Sequence, residues 1–199
     1  MVADFVEFLI QNGSLEEKYR EDSIYGLTLA IEKAVAYVVL LGIAFFLGKP
    51  VEGLVFLISF LLLRQTTGGF HAKTFFGCLF GSGVTFFLVL EILAPLTERY
   101  LLPAGILFLF SIICIFCFSP VNHPNLMLTG EEKRRHRYLS RGVLALETGV
   151  AGIFTILHTG WKQYVIMAVI VCAVFILIAK LIRQEVIEDE VNEKGKSDA

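Results

Sequence analysis

The sequence predicts an all-α protein, a polytopic bundle of transmembrane helices, on the strength of its composition, its hydropathy and the length of its apolar stretches. Hydrophobic residues make up 56% of the 199 residues and charged residues only 18%, whereas soluble domains have about 25% charged residues. The mean hydropathy of +0.72 covers the whole chain, and it requires stretches that only a bilayer accommodates. We expect one membrane-embedded domain over residues 1–182 and a polar cytoplasmic tail over residues 183–199.

About six apolar segments account for this hydropathy. A full crossing needs roughly 20 apolar residues, and the second and fifth segments are shorter than that. Six crossings, or four crossings with two short or re-entrant segments, are therefore both compatible with the sequence. The segments run over about 27–47, 51–63, 75–93, 100–118, 143–157 and 164–182.

The distribution of positive charge predicts how these segments are oriented. Lys and Arg collect in the N-terminal stretch, in residues 64–74, in residues 119–142 and in the tail. The remaining turns carry only Lys49, Arg99 and Lys162. Because basic loops stay in the cytoplasm, we predict that both termini and the 64–74 loop are cytoplasmic.

The two ends of the chain differ in character. Residues 2–11 have apolar side chains at helical spacing, which predicts an amphipathic helix along the cytoplasmic interface, with a helix packed on the bundle as the alternative. No cleavable leader is expected, since the N-terminus has neither a basic region nor a small-residue cleavage site. From Glu185 onward the chain is polar and acidic, which is typical of a disordered tail.

One short stretch contains residues suited to catalysis. Gly68 and Gly69 favour a turn, His71 follows that turn, and Cys78 lies one or two turns into the third apolar segment. An imidazole can take the proton of a thiol and leave a thiolate–imidazolium pair. The stretch is therefore a candidate site for nucleophilic catalysis.

Helix geometry sets a condition on this pair. Arg64 and Lys73 would favour a thiolate, but seven residues along an unbroken helix separate the Cα atoms by ~10.5 Å. A hydrogen bond requires ~3 Å between its heavy atoms. Either His71 folds back from a loop, or the helix breaks near Gly77. The structural alternative is a loop histidine and a small cysteine, Cys78, packed among phenylalanines.

Two motifs of the chain resemble those of a known family. The first is the pattern R-x-x-x-G-G-x-H-A-x-x-x-x-x-C over residues 64–78, and the second is a proline-containing loop followed by basic residues over residues 119–135. With these motifs, its length and its number of apolar segments, the chain resembles the AgrB family (accessory gene regulator protein B), the membrane peptidases of quorum sensing in Gram-positive bacteria. The matching positions of the first motif are Arg64, Gly68, Gly69, His71, Ala72 and Cys78.

The resemblance implies a membrane cysteine endopeptidase that cuts an AgrD-type propeptide on the C-terminal side of the future signal peptide. It implies that Cys78 forms an acyl-enzyme thioester, that His71 is the general base, and that a cysteine or serine of the peptide then closes a thiolactone or lactone ring. No cofactor, metal or ATP is implied. The location implied is the cell membrane of a Gram-positive bacterium, with the catalytic pair on the cytoplasmic side.

The resemblance also bears on partners. An AgrD-type propeptide and membrane lipids are expected, a homodimer is compatible with the family, and nothing predicts binding to nucleic acid. The basic cluster after residue 132 is typical of a topology anchor beside anionic lipids, and it could also hold an acidic region of the propeptide. The candidate substrate-binding residues are Arg64, Gly68, Gly69, Lys73, Lys133, Arg134 and Arg135.

The sequence leaves some catalytic roles open. The backbone N–H groups of Gly77 and Cys78, or the side chain of Arg64, are candidates for stabilising an oxyanion, and no third catalytic residue can be assigned. Glu91 and Glu147 lie within apolar segments, where an ionisable group is costly and suggests a function. The structural alternative for each is a neutral carboxyl or one paired with a lysine.

The remaining cysteines favour packing, and two other functions compete with the peptidase hypothesis. Cys114, Cys117 and Cys172 lie in apolar helices, which favours packing over redox chemistry, and no group of residues has the spacing of a metal site. A small transporter or exporter predicts polar residues near the midplane and two similar halves, and the chain shows little of either. A non-catalytic membrane binding protein predicts an unreactive Cys78.

Overall fold

A computed structural model describes residues 2–70, 74–121 and 130–182 of the chain. Within these ranges the regular structure is helical, apart from one isolated bridge between Gly68 and Val121, so the predicted all-α class is confirmed. A π-helical turn, Val89–Leu93, joins the fourth α-helix to the fifth. The α-helices are α1 (Val2–Gln11), α2 (Arg20–Phe46), α3 (Pro50–Thr67), α4 (Phe75–Leu88), α5 (Ala94–Arg99), α6 (Leu101–Phe118), α7 (Gly130–Ile156) and α8 (Lys162–Leu181).

Six helical units of the described chain are long and apolar enough to cross a membrane, as predicted. The second unit, α3, has 18 residues and the fifth, α7, has 27, so neither is too short and six crossings are favoured over four. The chain is therefore a multi-pass membrane protein, while the cytoplasmic location of its termini stays a prediction. The six units are Glu17–Phe46, Pro50–Thr67, Phe75–Arg99, Leu101–Phe118, Gly130–Ile156 and Lys162–Leu181.

The last helix, α8, forms the centre of the bundle. In its most apolar stretch 61% of the residues are buried, against 11% to 33% in the other five spans. It packs against α3, α6 and α7, and side chains of α8 contribute to both hydrophobic clusters of the core. The outer helices present large apolar side chains such as Phe46, which is 90% exposed, to the surface that lipid would cover. A loop that docks on α8 is therefore anchored to the most buried element of the fold.

The basic cluster of the middle region is helical, which corrects the prediction of a loop over residues 119–142. The helix α7 begins at Gly130 and carries Glu131 and Glu132 in its first turn. Acidic residues at that position complement the helix dipole, and the Glu, Lys and Arg residues that follow are good helix formers. The apolar segment predicted from residue 143 marked only the part of the helix that hydropathy detects.

Glu91 lies in the π-helical turn and forms an ion pair. The carboxylate is 3.0 Å from the ammonium group of Lys49, and that group also donates a hydrogen bond of 2.8 Å to the carbonyl of Leu90. Pro95 lacks the N–H that would bond to the Glu91 carbonyl in an α-helix, which accounts for a widened turn at this point. Glu91 thus has the structural role that the sequence left as an alternative.

The predicted N-terminal helix is present as α1, with bounds of Val2–Gln11. Val6 is buried, and Glu7 accepts a hydrogen bond of 3.2 Å from Arg20 at the start of α2. The helix is therefore fastened to the bundle, and its position at the membrane interface stays a prediction. The tail predicted to be disordered begins at residue 183 and lies outside the described residues.

Candidate active site

The helical structure is interrupted between the positions of the two predicted catalytic residues. The helix α3 ends at Thr67 and α4 begins at Phe75. Gly77 lies inside α4, so the interruption comes before it and not at it. His71 and Lys73 lie outside the described residues. The prediction that His71 belongs to a loop is compatible with these helix ends.

Arg64 holds the first part of this loop. Its Nη1 donates to the carbonyl of Gly68 and its Nη2 to the carbonyl of Phe70. The guanidinium carbon also lies 5.8 Å from the centre of the Phe175 ring on α8, within the range of a cation–π interaction. A planar group with fixed donors can bind two carbonyls at once. Arg64 therefore determines the path of the backbone as far as residue 70.

The two glycines of the motif are required by conformation and by space. Gly68 has φ and ψ of +67° and −149°, a region that is essentially restricted to glycine. A Cβ on Gly68 would lie 2.4 Å from the backbone oxygen of Val121. A Cβ on Gly69 would lie 2.7 Å from Nη1 of Arg64 and 3.3 Å from the backbone of Phe175. A side chain at either position would displace the loop.

Backbone hydrogen bonds connect the loop to two distant parts of the chain. The N–H of Phe70 donates to the carbonyl of Phe175 over 3.1 Å, and the N–H of Val121 donates to the carbonyl of Thr67 over 2.9 Å. Val121 belongs to the second motif of the sequence and Thr67 to the first. The two motifs are therefore in contact, and the loop is held from α8 on one side and from the segment after α6 on the other.

Cys78 lies in the first turn of α4, and Thr74 caps that turn. The Thr74 hydroxyl accepts a hydrogen bond of 3.2 Å from the N–H of Gly77, and its carbonyl accepts one of 3.0 Å from the N–H of Cys78. Cys78 is half-buried. The guanidinium of Arg64 is close enough to the Cys78 thiol to interact with it electrostatically. The N-terminus of α4 is a further source of positive potential on the side of the sulfur.

The three predicted oxyanion donors already have partners. The N–H groups of Gly77 and Cys78 both bond to Thr74. The Nη1 and Nη2 atoms of Arg64 bond to loop carbonyls. In the described part of the chain, the two backbone N–H groups cap α4, and two N–H groups of Arg64 hold the loop.

The candidate substrate-binding residues of the basic cluster lie on α7. Arg134 and Arg135 are exposed and Lys133 is half-buried. Arg134 pairs with Glu131 one turn earlier at 4.0 Å, with both side chains more than two-thirds exposed. Such an exposed pair contributes little to stability. The cluster is therefore a basic helical surface.

Two of the other cysteines and the acid Glu147 are buried in the bundle. Cys114 and Cys172 are buried, as the packing interpretation predicts, and Cys172 lies 3.8 Å from the carbonyl of Phe60. Cys117 is exposed on α6, so it does not pack inside the bundle. Glu147 is buried near Ser59, and one of its carboxyl oxygens has no partner among the described residues.

Sequence reasoning missed three residues that build the site. Thr74 has a recognisable signal, since a threonine directly before an apolar helical segment is typical of an N-cap. Phe175 and Val121 have no local signal, because they contact the loop through their backbone and lie far from it in the sequence.

Comparison with known proteins agrees with the residue pattern. The model of the family described as Accessory gene regulator B matches residues 3–183. A protein named as AgrB-like in Listeria innocua is 30% identical over 129 residues, which are 64% of this chain and 62% of the relative. An AgrB-like protein of Clostridium perfringens is 23% identical over 177 residues, covering 81% of this chain and 82% of the relative. The chain thus spans about three-fifths of the length of the Listeria relative, and no solved structure matches it significantly.

Proposed function

Because this chain belongs to the accessory gene regulator B family, we propose that it is a membrane cysteine endopeptidase that processes an AgrD-type propeptide. Family membership implies a role in the agr quorum-sensing system. The proposed location is the cell membrane of a Gram-positive bacterium, with the catalytic pair at the cytoplasmic side. The relatives named above come from Listeria and Clostridium, which is consistent with that location.

The observation that carries the proposal is the fastened loop before residue 71. Arg64, the two glycines and the carbonyl of Phe175 fix the backbone up to Phe70. The chain then has four residues before α4 begins, and Cys78 lies in the first turn of that helix. Fixed geometry on both sides of a short connection is what an acyl-transfer site needs, since small misplacements of reacting groups cost large factors in rate.

In the proposed mechanism, His71 takes the proton of the Cys78 thiol. The thiolate attacks the carbonyl carbon of the scissile peptide bond, and the carbonyl π electrons move to the oxygen. When the tetrahedral species collapses, the C–N bond breaks and the leaving amine takes the proton from the imidazolium. The product is an acyl-enzyme thioester that retains the N-terminal part of the propeptide.

The second half of the reaction releases the signal peptide from the enzyme. The thiol or hydroxyl of a cysteine or serine in the bound peptide gives its proton to His71 and attacks the thioester carbonyl. A new thioester or ester bond forms, the bond to the Cys78 sulfur breaks, and Cys78 leaves as a thiolate beside the His71 imidazolium. Exchange between thioesters is nearly balanced in energy, so the protein must position the peptide and exclude water. The basic surface of α7, with Lys133, Arg134 and Arg135, is the proposed binding site for an acidic region of the propeptide.

The experiment that tests this function is co-expression with an AgrD-type propeptide from the same genome, followed by mass spectrometry. We expect cleavage by the wild type and by Cys117→Ala, and none by Cys78→Ala or His71→Ala. Cys117 is the matched control because it is a free, exposed cysteine on α6. Cleavage that persists in Cys78→Ala, or an intact propeptide beside stably expressed wild type, would refute the proposal.

A further inference from the structure

One face of α4 continues from Cys78 along the helix. Cys78, Ser82 and Thr85 are spaced by four and three residues, so they lie one above another on the same face. All three are half-buried, whereas Phe76 and Phe80 on the other side are more than three-quarters exposed. Side chains of a helix lean towards its N-terminus. The Ser82 hydroxyl therefore leans over the turn that carries Cys78.

The Ser82 hydroxyl differs from most hydroxyls of the membrane spans. Seven of them donate to a carbonyl of their own helix at 2.7 to 3.0 Å, which is the usual arrangement in an apolar environment. Among the described residues, none forms a hydrogen bond with the Ser82 side chain. Its hydroxyl is therefore free to donate to a substrate. The seven bonded hydroxyls belong to Thr28, Thr66, Thr67, Thr97, Ser111, Thr148 and Thr155.

The oxyanion donors that the sequence suggests already form hydrogen bonds. The N–H groups of Gly77 and Cys78 bond to Thr74, and Arg64 bonds to the loop carbonyls. The first four N–H groups of a helix have no carbonyl partner within it. At the start of α4, the N–H groups of Phe75 and Phe76 form no hydrogen bond among the described residues. An oxyanion site commonly combines such a backbone donor with a side chain.

We propose that the Ser82 hydroxyl is an oxyanion donor of the acylation step. The proposal rests on the peptidase function proposed above. When the Cys78 sulfur bonds to the scissile carbonyl carbon, negative charge develops on the carbonyl oxygen. Cβ atoms four residues apart on a helix are ~5–6 Å apart, so an oxygen attached to that carbon can lie between the sulfur and the hydroxyl. Ser82 donates a hydrogen bond to this oxygen and keeps its own proton throughout.

Single-turnover cleavage of the AgrD-type propeptide by the full chain in lipid nanodiscs tests this role. We expect Ser82→Ala to lower the cleavage rate by about 10²- to 10³-fold, as loss of one oxyanion donor does. Propeptide binding and the rate of Cys78 alkylation should be unchanged, because neither involves an oxyanion. Ser82→Thr retains the hydroxyl and should recover most of the rate. Thr85→Val is the matched control, since Thr85 lies one turn farther from Cys78, and it should cleave like the wild type.

Each contrary result has a distinct meaning. Wild-type cleavage by Ser82→Ala would overturn the assignment of Ser82 while leaving the peptidase proposal intact. Equal losses of cleavage and of Cys78 alkylation in Ser82→Ala, or no recovery in Ser82→Thr, would also overturn it, because they indicate a structural role. Cleavage by Cys78→Ala in the same assay would refute the peptidase mechanism and the assignment together.

Discussion

The helix α3 has a glycine turn at each end, and the two turns depend on glycine for different reasons. Before the helix, Gly48 has a φ of +71°, and a Cβ there would meet no atom within 4 Å. After the helix, Gly68 has a φ of +67°, and a Cβ there would lie 2.4 Å from the backbone oxygen of Val121. The first turn requires a backbone conformation only. The second requires that conformation and the space that a side chain would occupy.

Each turn also has a basic side chain, and the two side chains act differently. Lys49 points away from its turn and pairs with Glu91 at 3.0 Å. Arg64 points into its turn and bonds to the carbonyls of Gly68 and Phe70. Lys49 connects two helices, whereas Arg64 shapes the loop that leads to the proposed catalytic residue His71. The turn after α3 is therefore built to present a residue, and the turn before α3 to join helices.

The largest loss of propeptide cleavage is expected for Gly68→Ala. The new methyl group would collide with Val121, and alanine is strained in the backbone conformation of Gly68, at a cost of roughly 1–3 kcal/mol. The loop must therefore move. We expect propeptide cleavage to fall by at least about 100-fold, the loss that a displacement of about 1 Å can cause. Rates would be measured by mass spectrometry on membranes that contain equal amounts of each variant.

Thermal unfolding of the purified Gly68→Ala protein distinguishes a displaced loop from a misfolded bundle. A protein that unfolds near the wild-type temperature but does not cleave fits the displaced loop. Wild-type cleavage by Gly68→Ala would contradict the role given to this turn.

Arg64→Lys is expected to have the second-largest effect. Lysine retains the positive charge near Cys78 but cannot bind two carbonyls with fixed geometry. Loss of one hydrogen bond from a charged group costs about 1.5–3 kcal/mol, which corresponds to a fall in cleavage of about 10-fold or more. The rate of Cys78 alkylation should change little in Arg64→Lys and fall in Arg64→Met. Equal cleavage by Arg64→Lys and the wild type would show that charge alone matters at this position.

Only the local properties of these two turns could be predicted from the sequence. The pair Gly68-Gly69 predicts a turn, and apolar length predicts six helices, because both are local properties. The requirement for space at Gly68 was not predictable, because it comes from Val121, which is distant in the sequence. Hydropathy also could not show that α7 begins at Gly130, since charged residues form helices as readily as apolar ones.

Gly48→Ala is expected to have a smaller effect, which is on stability and not on cleavage. Alanine at a positive φ costs roughly 1–2 kcal/mol, but nothing stands within 4 Å of the new methyl group. The unfolding temperature should fall by a few degrees, while cleavage per folded molecule should stay at the wild-type level. Gly48→Asn should be less destabilising, because asparagine accepts this conformation more readily. A loss of cleavage in Gly48→Ala that is as large as that in Gly68→Ala would erase the distinction between the two turns.

The smallest effect on the unfolding temperature is expected when the Lys49–Glu91 ion pair, beside the turn before α3, is removed. Lys49 and Glu91 are about one-third exposed, so solvent and lipid headgroups can replace part of the interaction, and such pairs contribute up to about 1 kcal/mol. Lys49→Met leaves Glu91 without its partner and should lower the unfolding temperature slightly. The double variant Lys49→Met/Glu91→Gln removes the remaining charge and should recover part of that loss. Because neither side chain contacts the 68–70 turn in the described structure, cleavage should stay at the wild-type level in both variants, and a large loss in either would show that the two ends of α3 are coupled.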